Sequence, residues 1–236
     1  MDAPARSRAL ASAVHQEVHD TDLLLVPVGS LEQHGPHLPL DTDSTIAHAV
    51  AREVAQRLTA SGTTTWVSPT IALGSSGEHQ DFAGTISIGT EVLRQVVVET
   101  VRSAGTWVPR VVLVNGHGGN RDALDAAVTQ LVQEGHDVAW APCAPPGADP
   151  HAGRAETSLM LWLRPWSVHT ERAEPGSTQP LRVILPAMRV GGLAAVSPNG
   201  VLGDPRGATA DEGRRLLTAM VTAVRAVADP DERAVG

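Results

Sequence analysis

Apolar residues arrive along this chain in two rhythms. Leu23-Leu24-Leu25-Val26-Pro27-Val28 and Arg110-Val111-Val112-Leu113-Val114 are short, nearly unbroken runs, the signature of strands buried on both faces. Between and after them the apolar positions spread to helical spacing. Ile46, Ala47, Val50, Ala51, Val54 and Leu58 predict a helix over 43–59. Val92, Leu93, Val96, Val97 and Val101 predict one over 91–106, and Leu124, Ala127, Val128, Leu131 and Val132 one over 120–134. Leu216, Leu217, Met220, Val221 and Val224 predict a last helix over 209–228. Weaker signals place an opening helix at 7–19, strands near 65–71 and 136–141, and a helix from about 154 to 164. Residues 165–210 read as irregular. Strands that alternate with amphipathic helices imply an α/β fold whose mostly parallel sheet is covered on both faces. No repeat or linker interrupts the pattern, so residues 1–236 are expected as a single domain.

Composition narrows the chemistry. A chain of 236 residues is long enough for one α/β domain with a substantial core. No run approaches the roughly 18 apolar residues of a membrane span, and the opening MDAPARSRALASAV lacks the apolar core of a secretory signal. One cysteine, Cys143, precludes an internal disulfide and suits a reducing cytosol, so a cytoplasmic protein is expected. The net charge of −8 argues against nucleic acid, whose phosphates need a basic footprint. All 18 basic residues are arginine; lysine and tyrosine are absent from the sequence. Schiff-base chemistry, a Walker phosphate loop and a Ser-Lys dyad are thereby excluded. The chemistry must come from His, Asp, Glu, Ser, the one Cys or a metal.

Three loops hold the candidate ligands. The first, GSLEQHGPHLPLDTD (29–43), follows the first strand and sets out Glu32, His34, His37, Asp41 and Asp43 among helix-breaking glycine and prolines. NGHGGN (115–120) supplies His117, and HAGRAETS (151–158) supplies His151 and Glu156. Carboxylates and imidazoles are the groups that hold Zn, Mn or Fe. In open α/β sheets the loops at the carboxyl ends of the strands converge on one crevice. Carboxylates and imidazoles meeting there would repel or desolvate badly unless one or two divalent cations joined them. Blander readings exist for each loop. Asp41 or Asp43 would merely cap the next helix, His117 would make a helix cap or bind an anion, and Glu156 would be a surface residue. NGHGGN also resembles the oxyanion loop of esterases, but no G-x-S-x-G elbow is present to supply a nucleophile. Cys143 reads as a structural thiol, and His15, His19, His48, His136 and His169 receive no role.

Taken together, Glu32-Gln33-His34-Gly35 with Asp43, Ser76-Gly77-Glu78-His79, Asn115 to Asn120, and His151-Ala152-Gly153 with Glu156-Thr157-Ser158 resemble the creatininase (creatinine amidohydrolase) family. The motifs fall in the family's order across residues 23–228. The resemblance implies a three-layer αβα fold, a homo-oligomer, often a hexamer, and a dinuclear metal site that hydrolyses amide C–N bonds. By that resemblance Glu32, Asp43 and His117 hold one ion, while His34 and Asp43 hold the other, Asp43 bridging. Creatininase carries a further metal-binding glutamate two residues after the histidine of its glycine-rich motif; this chain has Gly119 there, and Glu156 is the natural replacement. The stretch Gly191 to Gly207, with VPVGSLEQHGPHLPLDTD, resembles the mycofactocin-system branch of the family. Members of that branch trim the C-terminal end of a small precursor peptide modified by a radical SAM enzyme, and release a core dipeptide of valine and tyrosine.

The expectation is therefore a metal-dependent amide or peptide hydrolase using two divalent ions, Zn, Fe(II) or Mn. Water activated by the ions is the expected nucleophile. Glu156 or Asp43 accepts its proton, and His151, beside the site without being a ligand, protonates the departing amine. His37 and His79 are weaker candidates for substrate contacts. The expected partner is the precursor peptide, with neither nucleic acid nor membrane. A small-molecule amidohydrolase of creatinine or formamide type would share the ligands and differ in the lining loops. A non-catalytic metal-stabilised assembly protein would need a closed, fully protein-ligated site, and the excess of ligands argues against it.

Overall fold

The computed structural model describes residues 8–145 and 147–229. Four parallel strands, β1 (Leu23–Val28), β2 (Thr65–Val67), β3 (Arg110–Asn115) and β4 (Asp137–Pro142), form one sheet in the order β2-β1-β3-β4. The unbroken apolar runs serve two cores at once, because successive side chains of a strand point to opposite faces. Leu23 and Leu25 of β1, with Val67, Val112, Val114 and Ala141, face a layer made by α1 (Thr42–Ala60), α4 (Arg154–Leu163) and α6 (Ala210–Ala228). Leu24, Val26 and Val28, with Trp66, Val111, Leu113 and Val138, face α2 (Thr90–Ala104) and α3 (Arg121–Gln133). The result is the three-layer αβα sandwich. Each fully buried Leu or Val contributes on the order of 1.5–3 kcal/mol relative to exposure, so both faces of β1 and β3 are strongly specified.

Strand order decides where the site lies. The chain runs from β1 outward to β2 and then returns to β3 on the other side of β1. The register sets Val28 opposite Asn115, so the loops leaving β1 and β3 emerge side by side. That reversal is the crevice in which open α/β sheets place their ligands. Proline in a central strand ordinarily removes a ladder bond, yet Pro27 is tolerated. Its carbonyl accepts from Ile71 N–H on the side where β2 has already ended, so its missing N–H faces no ladder partner.

Three expectations are corrected. The strand expected over 65–71 stops at Val67, where Ser68-Pro69 breaks the ladder. The helix expected over 7–19 is two 3-10 turns, Leu10–Ser12 and His15–Val18, with Ala13 and Val14 extended between them; residue 7 lies outside the described residues. Here tertiary pairing outweighs local propensity: Val67 N–H donates to Arg8 O at 2.8 Å, and Leu10, Ala13 and Val18 pack against the α2–α3 core. Finally, the span 165–210 is not wholly irregular, because it contains α5 (Leu181–Gly191) with Pro186 inside it. Ile184 of α5 packs with Leu193 and Leu202 in a third, small cluster.

Candidate metal centre

The loop after β1 carries its acidic and imidazole side chains inward. Glu32 and His34 are fully buried, and Glu32 N–H donates to Leu40 O at 3.1 Å, closing the loop on itself. Asp43 sits in the first turn of α1. A Cβ at Gly116 would collide with the Asp43 backbone, so glycine there allows the β3 loop to lie against α1. The asparagines of NGHGGN fix that loop. Asn115 Nδ2 donates to His117 O at 2.7 Å, and Asn120 Nδ2 donates to Gly29 O at 3.0 Å and Asn115 Oδ1 at 3.1 Å, tying it to β1. The third loop reaches the crevice through Ala152, whose φ of 52° is a left-handed conformation that non-glycine residues rarely adopt. Its N–H donates to Glu156 Oε2 at 2.6 Å, which orients that carboxylate. Asp149 accepts from the backbone N–H groups of Arg154 and Ala155 and so caps α4.

The donor atoms converge. His117 Nδ1 lies 3.1 Å from Glu32 Oε1 and 3.4 Å from Asp43 Oδ2. His34 Nε2 lies 3.1 Å from Asp43 Oδ1 and 3.8 Å from Glu156 Oε2. Asp43 thus turns one oxygen toward His117 and the other toward His34. His79 Nε2 and His151 Nδ1 approach Glu32 Oε1 at 3.3 and 3.7 Å. Three overlapping triads bring their donors within 4.8 Å of one another: Glu32, His79 and His117; Glu32, His34 and His151; His34, Asp43 and Glu156. Donors that share one ion at about 2.0–2.2 Å in tetrahedral geometry stand roughly 3.3–3.6 Å apart, and the observed separations bracket that value.

Electrostatics point the same way. Both oxygens of Glu32 and Oδ2 of Asp43 are buried without a hydrogen bond, and a buried carboxylate left so is costly unless a cation meets it. Burial pushes the Glu32 carboxyl up, but His117, His79 and His34 outweigh it and hold it well below the usual range. Burial opposes charge on His34 too, yet the Asp43 carboxylate beside it, with help from Glu156 and Glu32, raises it to about 10. Glu32 and Glu78 likewise raise His117 against its burial. The carboxylates therefore demand positive charge at this point, which a divalent cation would supply. His151 is pushed the other way, first by burial and then by His34 and His79, with ring centroids 4.4 and 4.5 Å away. Burial and the neighbouring Asp43 and Glu32 carboxylates raise Glu156 to about 7, although His34 opposes them.

Of the residues singled out in sequence, Glu32, His34, Asp43, His117, His151 and Glu156 all stand in this one cluster. His37 is buried, with Nε2 at 2.9 Å from Thr157 Oγ1. Asp41 lies outside, paired with Arg164 at 2.7 Å. Cys143 is half-buried with its thiol pushed up by burial, as suits an inert structural thiol. Sequence reasoning undervalued Glu78 and His79 and gave Gln33 no role. Glu78 Oε1 lies 3.5 Å from His117 Nε2, and a Cβ on Gly119 would come within 2.7 Å of it, so glycine at 119 makes room for this carboxylate. The Ser-Gly-Glu-His motif was the available signal.

Comparison with known proteins agrees with the geometry. The family model described as creatinine amidohydrolase matches residues 9–228. A mycofactocin precursor peptide peptidase of Mycobacterium tuberculosis is 56% identical over 218 residues, covering 90% of this chain and 87% of its own. Its counterpart in Mycolicibacterium smegmatis is 51% identical over 214 residues, with the same coverage of 90% and 87%. Among solved structures, one described as creatininase Mn superimposes with a TM-score of 0.76 at 26% identity, covering 94% of this chain and 97% of that one.

Proposed function

Because the chain belongs to the creatininase (creatinine amidohydrolase) family of hydrolases, we propose that it is a dinuclear metal-dependent peptidase acting on the mycofactocin precursor peptide. Its product would be the C-terminal core dipeptide derived from valine and tyrosine. The observation that carries the metal-dependent reading is Glu32, a buried carboxylate with no hydrogen bond to either oxygen and imidazoles on several sides. The peptide as substrate rests on the likeness to peptidases across nine-tenths of the chain.

Glu32, Asp43 and His117 would hold one ion, and His34, Asp43 and Glu156 the other. Zinc, manganese and iron(II) all suit this set of carboxylates and imidazoles. When bound, such ions lower the pKa of water and polarise a carbonyl. The chain's own residues handle the protons. Glu156 accepts the Ala152 N–H at Oε2, leaving Oε1 as the oxygen that takes a proton from the attacking water. His151 Nδ1 faces the centre unprotonated, so we place there the relay of the proton that Glu156 takes from the water: Nδ1 would receive it and pass it to the departing amine nitrogen as the C–N bond breaks. Gly119, where creatininase has a glutamate, argues against creatinine as the substrate.

The same reading takes the protein as a cytoplasmic homo-oligomer, a hexamer by family resemblance, which sedimentation would test. Among the described residues no helix is long and apolar enough to cross a membrane. The activity is tested by offering the metal-loaded protein the modified precursor peptide, creatinine and formamide in parallel. Mass spectrometry should show the dipeptide-derived product and a truncated precursor, with both small amides untouched. Turnover of a small amide with the peptide left intact would overturn the assignment.

A further inference from the structure

Gln33, between Glu32 and His34, is buried, and every polar group of its side chain is engaged. Gly35 N–H donates to Oε1 at 2.8 Å, and Nε2 donates to Gly200 O at 3.1 Å. One partner is a backbone donor and the other a backbone acceptor, so the amide has one orientation. Flipping it would set N–H against N–H and oxygen against oxygen. A Cβ on Gly200 would collide with this amide, and Gly200 has a φ of 76° that favours glycine.

That fixed orientation decides two imidazoles. The second amide proton of Gln33 faces His79 Nδ1 at 2.9 Å, so Nδ1 must accept and the ring proton sits on Nε2. Nε2 then carries its proton on the Glu32 side of the ring, 3.3 Å from Oε1. His151 Nε2 lies 2.9 Å from the backbone oxygen of Gln33, which only accepts, so His151 also carries its proton on Nε2. Its Nδ1 is left bare and directed at the cluster. Gln33 Nε2 also passes 3.1 Å from His151 Nε2, but both nitrogens already spend their protons elsewhere.

We propose that Gln33 is a positioning residue: its side chain fixes His79, and its backbone carbonyl fixes His151, as Nε2–H imidazoles with separate duties. His79 turns a protonated Nε2 toward Glu32 and so cannot bind an ion through that atom, although it stands within ligand distance. His151 presents a bare Nδ1 to the reacting centre. Orienting partners of this kind commonly change activity or metal affinity by about 10–100-fold when removed. The inference rests on the reading of the cluster as a hydrolytic metal site.

The test uses zinc-loaded protein labelled with 15N-histidine, in which nitrogen–proton correlations report the tautomer of each ring. In the unmodified protein both His79 and His151 should carry the proton on Nε2. Gln33→Met removes the side-chain amide, donor and acceptor together, and leaves the backbone carbonyl, so His79 should lose its single tautomer while His151, held by that carbonyl, keeps its own. Gln33→Glu offers only acceptors and should draw a proton onto His79 Nδ1. With zinc content unchanged, kcat should fall roughly 10–100-fold in both variants. A native His79 protonated on Nδ1, or a His79 pattern unmoved by both substitutions, would overturn the proposal, and the native spectrum decides even if a variant fails to fold. Loss of both tautomers together in Gln33→Met would show a merely structural role and also overturn it. Normal turnover in His151→Ala would remove the proton-delivery reading while leaving the tautomer assignment standing.

Discussion

Asp43 offers one oxygen to each half of the cluster, at 3.1 Å from His34 and 3.4 Å from His117. Asp43→Ala should therefore lose both ions, while His34→Ala should keep one; elemental analysis showing full metal in Asp43→Ala would reject the bridging role. His151→Ala should retain both ions and the fold yet lose about 10²- to 10⁴-fold in kcat, the usual contribution of a general acid or base. Near-normal kcat would move proton delivery to Glu156. His37 carries a consequence for stability. Burial, with His34 second, lowers its pKa from the ordinary 6.5 to about 4. The unfolded chain then takes up this proton first, so the stability contribution is complete above about 6.5 and lost as pH falls toward 4. His37→Gln should flatten the decline in melting temperature between pH 7 and 4.5; an unchanged slope would contradict this. At this scale the members of the cluster were legible because their residue types are costly to gather without a cation. Gln33 and Glu78 were not, since their meaning lies in contacts such as Gln33 to Gly200, 167 positions apart.

Among the elements, β1, β3 and the four long helices were legible because their apolar spacing is strong and undisturbed. The misreadings have local causes. Pro186 disguises α5, since proline inside a helix removes one backbone bond and reads as a breaker. Pro69 ends β2 early. The 7–19 segment gives up helix for pairing with Val67, a preference that only the folded sheet reveals. A further element-level constraint is the contact of α4 with α6, where a Cβ on Gly213 would strike the Ser158 backbone. Gly213→Ala should destabilise the protein by about 1–3 kcal/mol through overpacking, despite alanine's better helix propensity. Chemical denaturation showing equal or greater stability would mean that the two helices separate at little cost.

For the molecule as a whole, the sequence named the loops but only the strand order joins them. With β1 and β3 adjacent and β2 outside them, the three loops share one crevice; another order would scatter the same residues. The fold and its central charge problem are thus coupled, since the sheet concentrates carboxylates that a cation must compensate. Ions bound only by the folded state stabilise it by mass action, about 2.7 kcal/mol at a hundred times Kd. Chelation should accordingly lower the melting temperature, and metal should restore it. The most direct test of the central claim follows cleavage of the modified precursor peptide by one preparation in three states: loaded, verified metal-free, and reloaded with zinc, manganese or iron(II). Dipeptide release should vanish in the second state and return in the third. Undiminished release by the metal-free protein would contradict the account.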